Sequence, residues 1–201
     1  MLGSDAGLPV QRIARMPYRL WFGRKVRNAG SMQFRHHADL NTGMQHMSFR
    51  IQGLDPSQFR HLAGLSDSAL ERLGAKRQVV DAKPGFPDRI EVRDLEIGET
   101  AILLNFEHQP AYTAYRSRHA IFVLEGAEQA LDMIDVVPEV LRIRTISLRA
   151  FDAAGAMIDA DLVDGNDIAP LIARFFENPL TAYLHAHYAK PGCYAACIVR
   201  A

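Results

Sequence analysis

The sequence predicts an α+β fold, built as a single mixed, mainly antiparallel sheet with a few short helices packed on it. Three observations point there. Short alternating or apolar runs follow one another from "MSFRIQGL" to "CYAACIVR", Gly-, Pro- and Asp-rich turns separate them, and only three short segments carry helical caps or spacing. A length of 201 residues with 48% hydrophobic content suits one domain with a substantial core.

The elements follow in order. "MSFRIQGL" alternates as a strand, and Asp55-Pro56 opens a short helical segment through Leu62. Ser66 before "DSALERLGA" reads as an N-cap, with Gly74 as the helix stop. "RQVVDA" and, after the turn "KPGFP", "RIEVRD" read as strands, the second with Ile90 and Val92 on its buried side. "AILLNF" and "AIFVL" are continuous apolar runs, as expected of strands covered on both faces at the centre of the sheet. "TISLRAF" and "AMIDADLV" flank the turn Asp152–Gly155 as a hairpin. "IAPLIARFF" has helical spacing with Pro170 in its first turn, and Glu177-Asn178-Pro179 ends it before "TAYLHAH" and "CYAACIVR".

Charge divides the chain. Residues 1–46 carry seven Lys or Arg against Asp5 and Asp39, a net of +5, while the whole chain is neutral. This first part has no sustained hydrophobic period and holds Met16, Met32 and Met44, so it is expected to be a disordered basic extension or a start assigned too early. The globular α+β domain is then residues 47–201. An organelle-targeting leader is less consistent with the scarcity of serine. No apolar run reaches the 18 or so residues that span a bilayer, and no basic, aromatic-studded surface is evident, so neither membrane nor nucleic-acid partners are expected. With two cysteines and no secretory pattern, a reducing, cytoplasmic setting is the expectation.

The chemistry-bearing residues gather at strand ends. Alternation puts Tyr183, His185 and His187 on one face of their strand and Leu184 and Ala186 on the other. If residues 188–192 connect the last two strands, His187 lies opposite Cys193, with Cβ atoms about 5 Å apart, and an imidazole reaches a thiol. A four-residue connection instead pairs Tyr188 with Cys193 and inverts the faces. Cys193 and Cys197, about 13 Å apart on one strand, cannot bridge each other. Cys197 reads as a buried hydrophobe.

A second group lies between the two apolar runs. Antiparallel pairing would bring Glu107 and His108 toward Arg118 and His119, with a long structureless segment between them, and Arg116 and Arg118 offer anion binding. The plainer possibility is that Glu107 simply pairs with one of these arginines. His185 and His187, joined by a histidine from elsewhere such as His108 or His119 and with Glu107 or Cys193 completing the set, could hold zinc or a related divalent metal. Histidines hydrogen-bonded to backbone or carboxylates are the bland alternative. There is no H-E-x-x-H, C-x-x-C, P-loop, dinucleotide fingerprint or G-x-S-x-G. Asp159 and Asp161 share one strand face and read as solvated.

The stretch from "FRIQGLDPSQF" to "RHAIFV", with the closing "HAHYAKPGCYAA", resembles the bacterial family called domain of unknown function 1203. The resemblance covers residues 47–201. It rests most on Lys83 to Arg89, Leu104 to Pro110, Tyr115 to Val123 and His185 to Tyr194. The family pattern often has cysteine after the second proline of the turn, whereas this chain has Asp88, which argues against a mechanism needing two thiols. The resemblance implies no reaction.

Two functions therefore stay open. One is an enzyme using His187, Cys193 and His119 or Arg116, with His185 and His187 as metal ligands, working through a metal-activated water or a cysteine nucleophile. The other is a non-catalytic module that grips a small anion through Arg116, Arg118 and His108, or that only holds the sheet end together. Neither oligomeric state nor substrate can be read from the chain.

Overall fold

The computed structural model describes residues 47–201, so the expectations for residues 1–46 lie outside the described residues. Among the described residues nine strands form two sheets, not the single one expected. The strands are β1 (Phe49–Gln52), β2 (Lys76–Val79), β3 (Thr100–Gln109), β4 (Ser117–Leu124), β5 (Asp132–Ile134), β6 (Thr145–Phe151), β7 (Met157–Asp164), β8 (Tyr183–Tyr188) and β9 (Tyr194–Arg200). Six make a large sheet in the order β5-β1-β9-β8-β6-β7, and three make a small one, β2-β3-β4. Every pairing between these strands is antiparallel.

The division explains a second correction. The apolar runs of β3 and β4 belong to the small sheet and leave Asn105, Arg118 and Ala120 exposed, while β9 and β8 occupy the centre of the large one. Strand periodicity tells which side chains are buried, not which layer buries them.

One face of the large sheet carries Ile146, Leu148, Leu184, Ala186 and Ile198. It packs on α3 (Ile168–Glu177), whose Ile168, Leu171, Ile172, Phe175 and Phe176 recur at the spacing of one helix face. The short α2 (Glu139–Arg142) adds Val140 and Leu141. A second core lies under the small sheet, where Ile102, Ile121 and Val123 meet Phe59, Leu62 and Leu70. The last of these belongs to α1 (Asp67–Arg72), capped by the Ser66 hydroxyl, which accepts from the Ala69 amide. The segment opened by Asp55-Pro56 forms two 3-10 turns. The β6–β7 hairpin forms around Asp152–Gly155, where the Asp152 carboxylate accepts from the Ala154 and Ala156 amides.

"RIEVRD" is not a strand. Its backbone joins no ladder: it takes part in isolated bridges, Pro87 with Asp94 and Asp88 with Phe122, and in single bonds to Leu54 and Leu131, and Val92 sits at φ +50°. The cause is Asp88, fully buried, whose carboxylate accepts from the amides of Ile90, Glu91 and Leu124 and so takes the donors that a ladder would use. Burial pushes the Asp88 carboxyl up, against the pull of those amides. Asp88→Ala is expected to strand three inward-facing amides and destabilise the fold by about 3 kcal/mol or more, at about 1–3 kcal/mol each. Asp88→Asn, which keeps an acceptor oxygen, should cost visibly less. Urea denaturation of the two variants checks this, and equal midpoints would contradict it.

Candidate functional site

The site is built where the small sheet covers the polar face of β8. Alternation on β8 holds as expected, with Leu184, Ala186 and Tyr188 in the core and His185 and His187 on the opposite face. Because another layer covers that face too, both histidines are buried, at 5% and 0% exposure.

His108 arrives from β3 by a β-bulge. Glu107 pairs with Arg118 and Gln109 with Ser117, so His108 is the extra residue, and its side chain turns inward. His119 is on β4, opposite Phe106. The meeting of these strand ends agrees with the expectation, but the strands run further than the apolar letters suggested and shorten the loop to residues 110–116. The Nε2 of His108 lies 2.7 Å from Nδ1 of His119, so one proton is held between them.

One ring nitrogen from each of His108, His185 and His187 lies within 4.8 Å of those of the other two. His187 donates from Nδ1 to the Gly192 carbonyl at 3.1 Å, which leaves the lone pair on Nε2. That Nε2, His108 Nδ1 and His185 Nδ1 are buried and have no protein hydrogen-bond partner. Burial drives all three imidazoles toward the neutral form: His108 to about 4, His185 to about 3 and His187 to about 2. The Arg149 guanidinium on β6, whose backbone pairs with that of His185, pushes the same way. Arg149 is itself pushed down by burial. The Tyr194 ring lies parallel to that of His108, with centroids 4.9 Å apart. A cavity of about 350 Å³ bounded by His108, His185, Tyr183 and Gly155 connects the cluster with the surface.

The register of the last hairpin differs from the one that would join His187 to Cys193. His185 pairs with Cys197, but beyond a bulge His187 pairs with Tyr194, and the Tyr188 amide donates to the Cys193 carbonyl. The extra residue in β9 puts Tyr194 and Cys197 on the histidine face and sends Cys193 elsewhere. Its sulfur accepts from Nη2 of Arg89 at 3.0 Å. Cys197 stays beside the histidines, its thiol pushed up to about 11 by burial, so it is an inert neutral group near pH 7.

Arg116 and Arg118 also stand apart. The Arg116 guanidinium grips both carboxylate oxygens of Glu107, at 2.6 and 3.3 Å, and holds that carboxyl below its ordinary value. Arg118 donates to the side chain and carbonyl of Asn105. Both are exposed. The structure thus brings His108, His119, His185 and His187 together and leaves Cys193, Arg116 and Arg118 outside. Sequence reasoning missed Arg149 and Tyr194. Alternation in "TISLRAF" did contain a signal for Arg149, a cation on the face opposite Ile146 and Leu148.

The family described as "Protein of unknown function (DUF1203)" matches residues 85–200, more than half of the chain. The chain belongs to this family. The DUF1203 match begins later than the resemblance from residue 47 and contains all four clustered histidines, Arg149 and Arg89. Comparison with curated proteins and with solved structures found no match. Among the described residues no helix is long and apolar enough to cross a membrane.

Proposed function

We propose that this DUF1203 protein holds a divalent metal ion, zinc by the preference of imidazole, on His108, His185 and His187, and that the centre is catalytic. The observation that carries this reading is the convergence of three buried imidazoles, each with a nitrogen that no protein group satisfies. A buried polar atom without a partner costs roughly 1–3 kcal/mol, and three on neighbouring rings call for a shared occupant. A neutral imidazole is the form that binds metal.

The surroundings fit. The Gly192 carbonyl fixes the tautomer of His187, and His119 buttresses His108, which are the outer contacts that orient metal-binding histidines. Zinc–nitrogen bonds of about 2.0–2.1 Å place tetrahedral ligand atoms about 3.3 Å apart, so the rings would draw in from 4.8 Å by side-chain movement. Three protein ligands leave one position open, as catalytic zinc sites do and structural ones do not. A bound ion would supply Lewis-acid chemistry to a substrate entering by the cavity beside His108 and His185. Arg149 disfavours a bare cation and favours an anionic group at the open position. The His119–His108 pair can hold or pass a proton at the edge of the site.

A cysteine nucleophile has less support, because Cys193 lies away from the imidazoles and Cys197 is a neutral thiol. Elemental analysis of the full chain, purified without a histidine tag and loaded with zinc, should find about one equivalent. No retained metal after loading with zinc, iron, manganese, cobalt or nickel would overturn the proposal and return the cluster to a structural role.

A further inference from the structure

A second cavity, of about 700 Å³, lies on the other side of His119. It is bounded by the turn at Pro87 and Arg89, by β4, by the start of β6, and by the end of β8 with the turn that follows it. Its volume is in the range of small-molecule sites. None of the three proposed metal ligands lines it.

Its charge is one-sided. Arg89, Arg144 and Lys190 line it, and no Asp or Glu does. Arg144 is balanced by Asp94 at 2.7 Å. Arg89 is not balanced. It is 1% exposed, and its guanidinium donates only to the carbonyls of Tyr194 and Pro87 and to the Cys193 sulfur. Among the described residues no carboxylate forms an ion pair with it. A guanidinium stays charged at any ordinary pH, and burying one without a counter-ion is strongly unfavourable.

Tyr188 adds an independent sign. It is 3% exposed, and its ring lies 5.2 Å from the guanidinium carbons of both Arg89 and Arg144. Its hydroxyl has no hydrogen-bond partner, a donor left over at the same place as the surplus positive charge. Leu103 and Phe122 supply an apolar wall.

We propose that this cavity binds a small organic oxyanion, a carboxylate or phosphate ester, with its charged head toward Arg89, Lys190 and Tyr188 and its apolar body against Leu103 and Phe122. The bound anion supplies the counter-charge that Arg89 lacks. Planar guanidinium recognition of such heads is strong and directional.

The test is calorimetric titration of the full chain, stripped of metal with EDTA, with benzoate, phenyl phosphate and neutral benzamide. At least one of the two anions should bind at a single site, and benzamide should bind at least about tenfold more weakly, the loss expected for a charge-assisted hydrogen bond. Ala120→Trp, at an exposed position on the cavity wall, should weaken anion binding by at least about tenfold while circular dichroism stays unchanged, since only the space is filled. Lys190→Gln should weaken it severalfold. Failure of both anions at millimolar concentration, equal binding of benzamide, or indifference to Ala120→Trp would overturn the proposal. So would binding that appears only with metal restored, which would put the anion on the ion. Because the titrations use protein freed of metal and then of EDTA, success or failure here is separate from that of the metal centre.

Discussion

Replacing His187 by alanine is expected to weaken zinc binding by at least about 100-fold. Loss of an outer partner of a metal ligand already costs about 10–100-fold, and His187 is proposed as a ligand itself. His185→Ala and His108→Ala should behave alike, because one nitrogen of each ring lies within 4.8 Å of the others. His119→Ala should cost less, about tenfold, since it acts through the bond to His108 as a positioning residue. Competition with a chromophoric chelator measures all four. A His187→Ala protein that binds zinc as tightly as the wild type would contradict the assignment, whereas equal losses for His119 and the other three would make His119 a ligand.

The second large effect is acid sensitivity of the metal-free protein. Unfolded histidine titrates near 6.5, while folded His185 and His187 stay neutral down to about 3 and about 2, because burial opposes their charging. Below about 6.5 the unfolded chain therefore binds more protons than the folded one, so stability is full above that pH and falls as pH drops toward the folded values. The slope is about 1.4 kcal/mol per pH unit for each histidine, or about 4 kcal/mol for the pair between pH 6.5 and 5. Asp88 works the other way, since its folded carboxyl is raised. Urea denaturation in EDTA at pH 7.5 and pH 5 should show the loss, and a His185→Gln/His187→Gln double variant should remove the larger part of it, the rest belonging to His108, neutral down to about 4. Equal wild-type stability at the two pH values would contradict the burial account.

Much of the site was legible in the chain, and what was not has specific causes. The shared face of His185 and His187 followed from strand alternation, which is local and survived folding intact. The approach of His108 to His119 followed from pairing two apolar runs. Two bulges were hidden, because an extra residue leaves no mark in a hydrophobic pattern. One turned His108 inward, and the other put Tyr194, not Cys193, opposite His187. The helix over Ile168–Glu177 and the β6–β7 hairpin were legible from period and turn residues. The separation into two sheets was not, since a continuous apolar run such as "AILLNF" looks the same in either layer. "RIEVRD" failed as a strand because Asp88 competes for its backbone, an effect of one side chain that alternation does not record.

The central claim is a three-histidine metal centre, and X-ray absorption at the zinc edge of the stoichiometrically loaded full chain tests it most directly. Zinc held by His108, His185 and His187 gives a first shell of nitrogen and oxygen only, at about 2.0–2.1 Å, with the outer-shell scattering of about three imidazoles and no sulfur. A sulfur contribution at about 2.3 Å, or a shell with one imidazole or none, would contradict it.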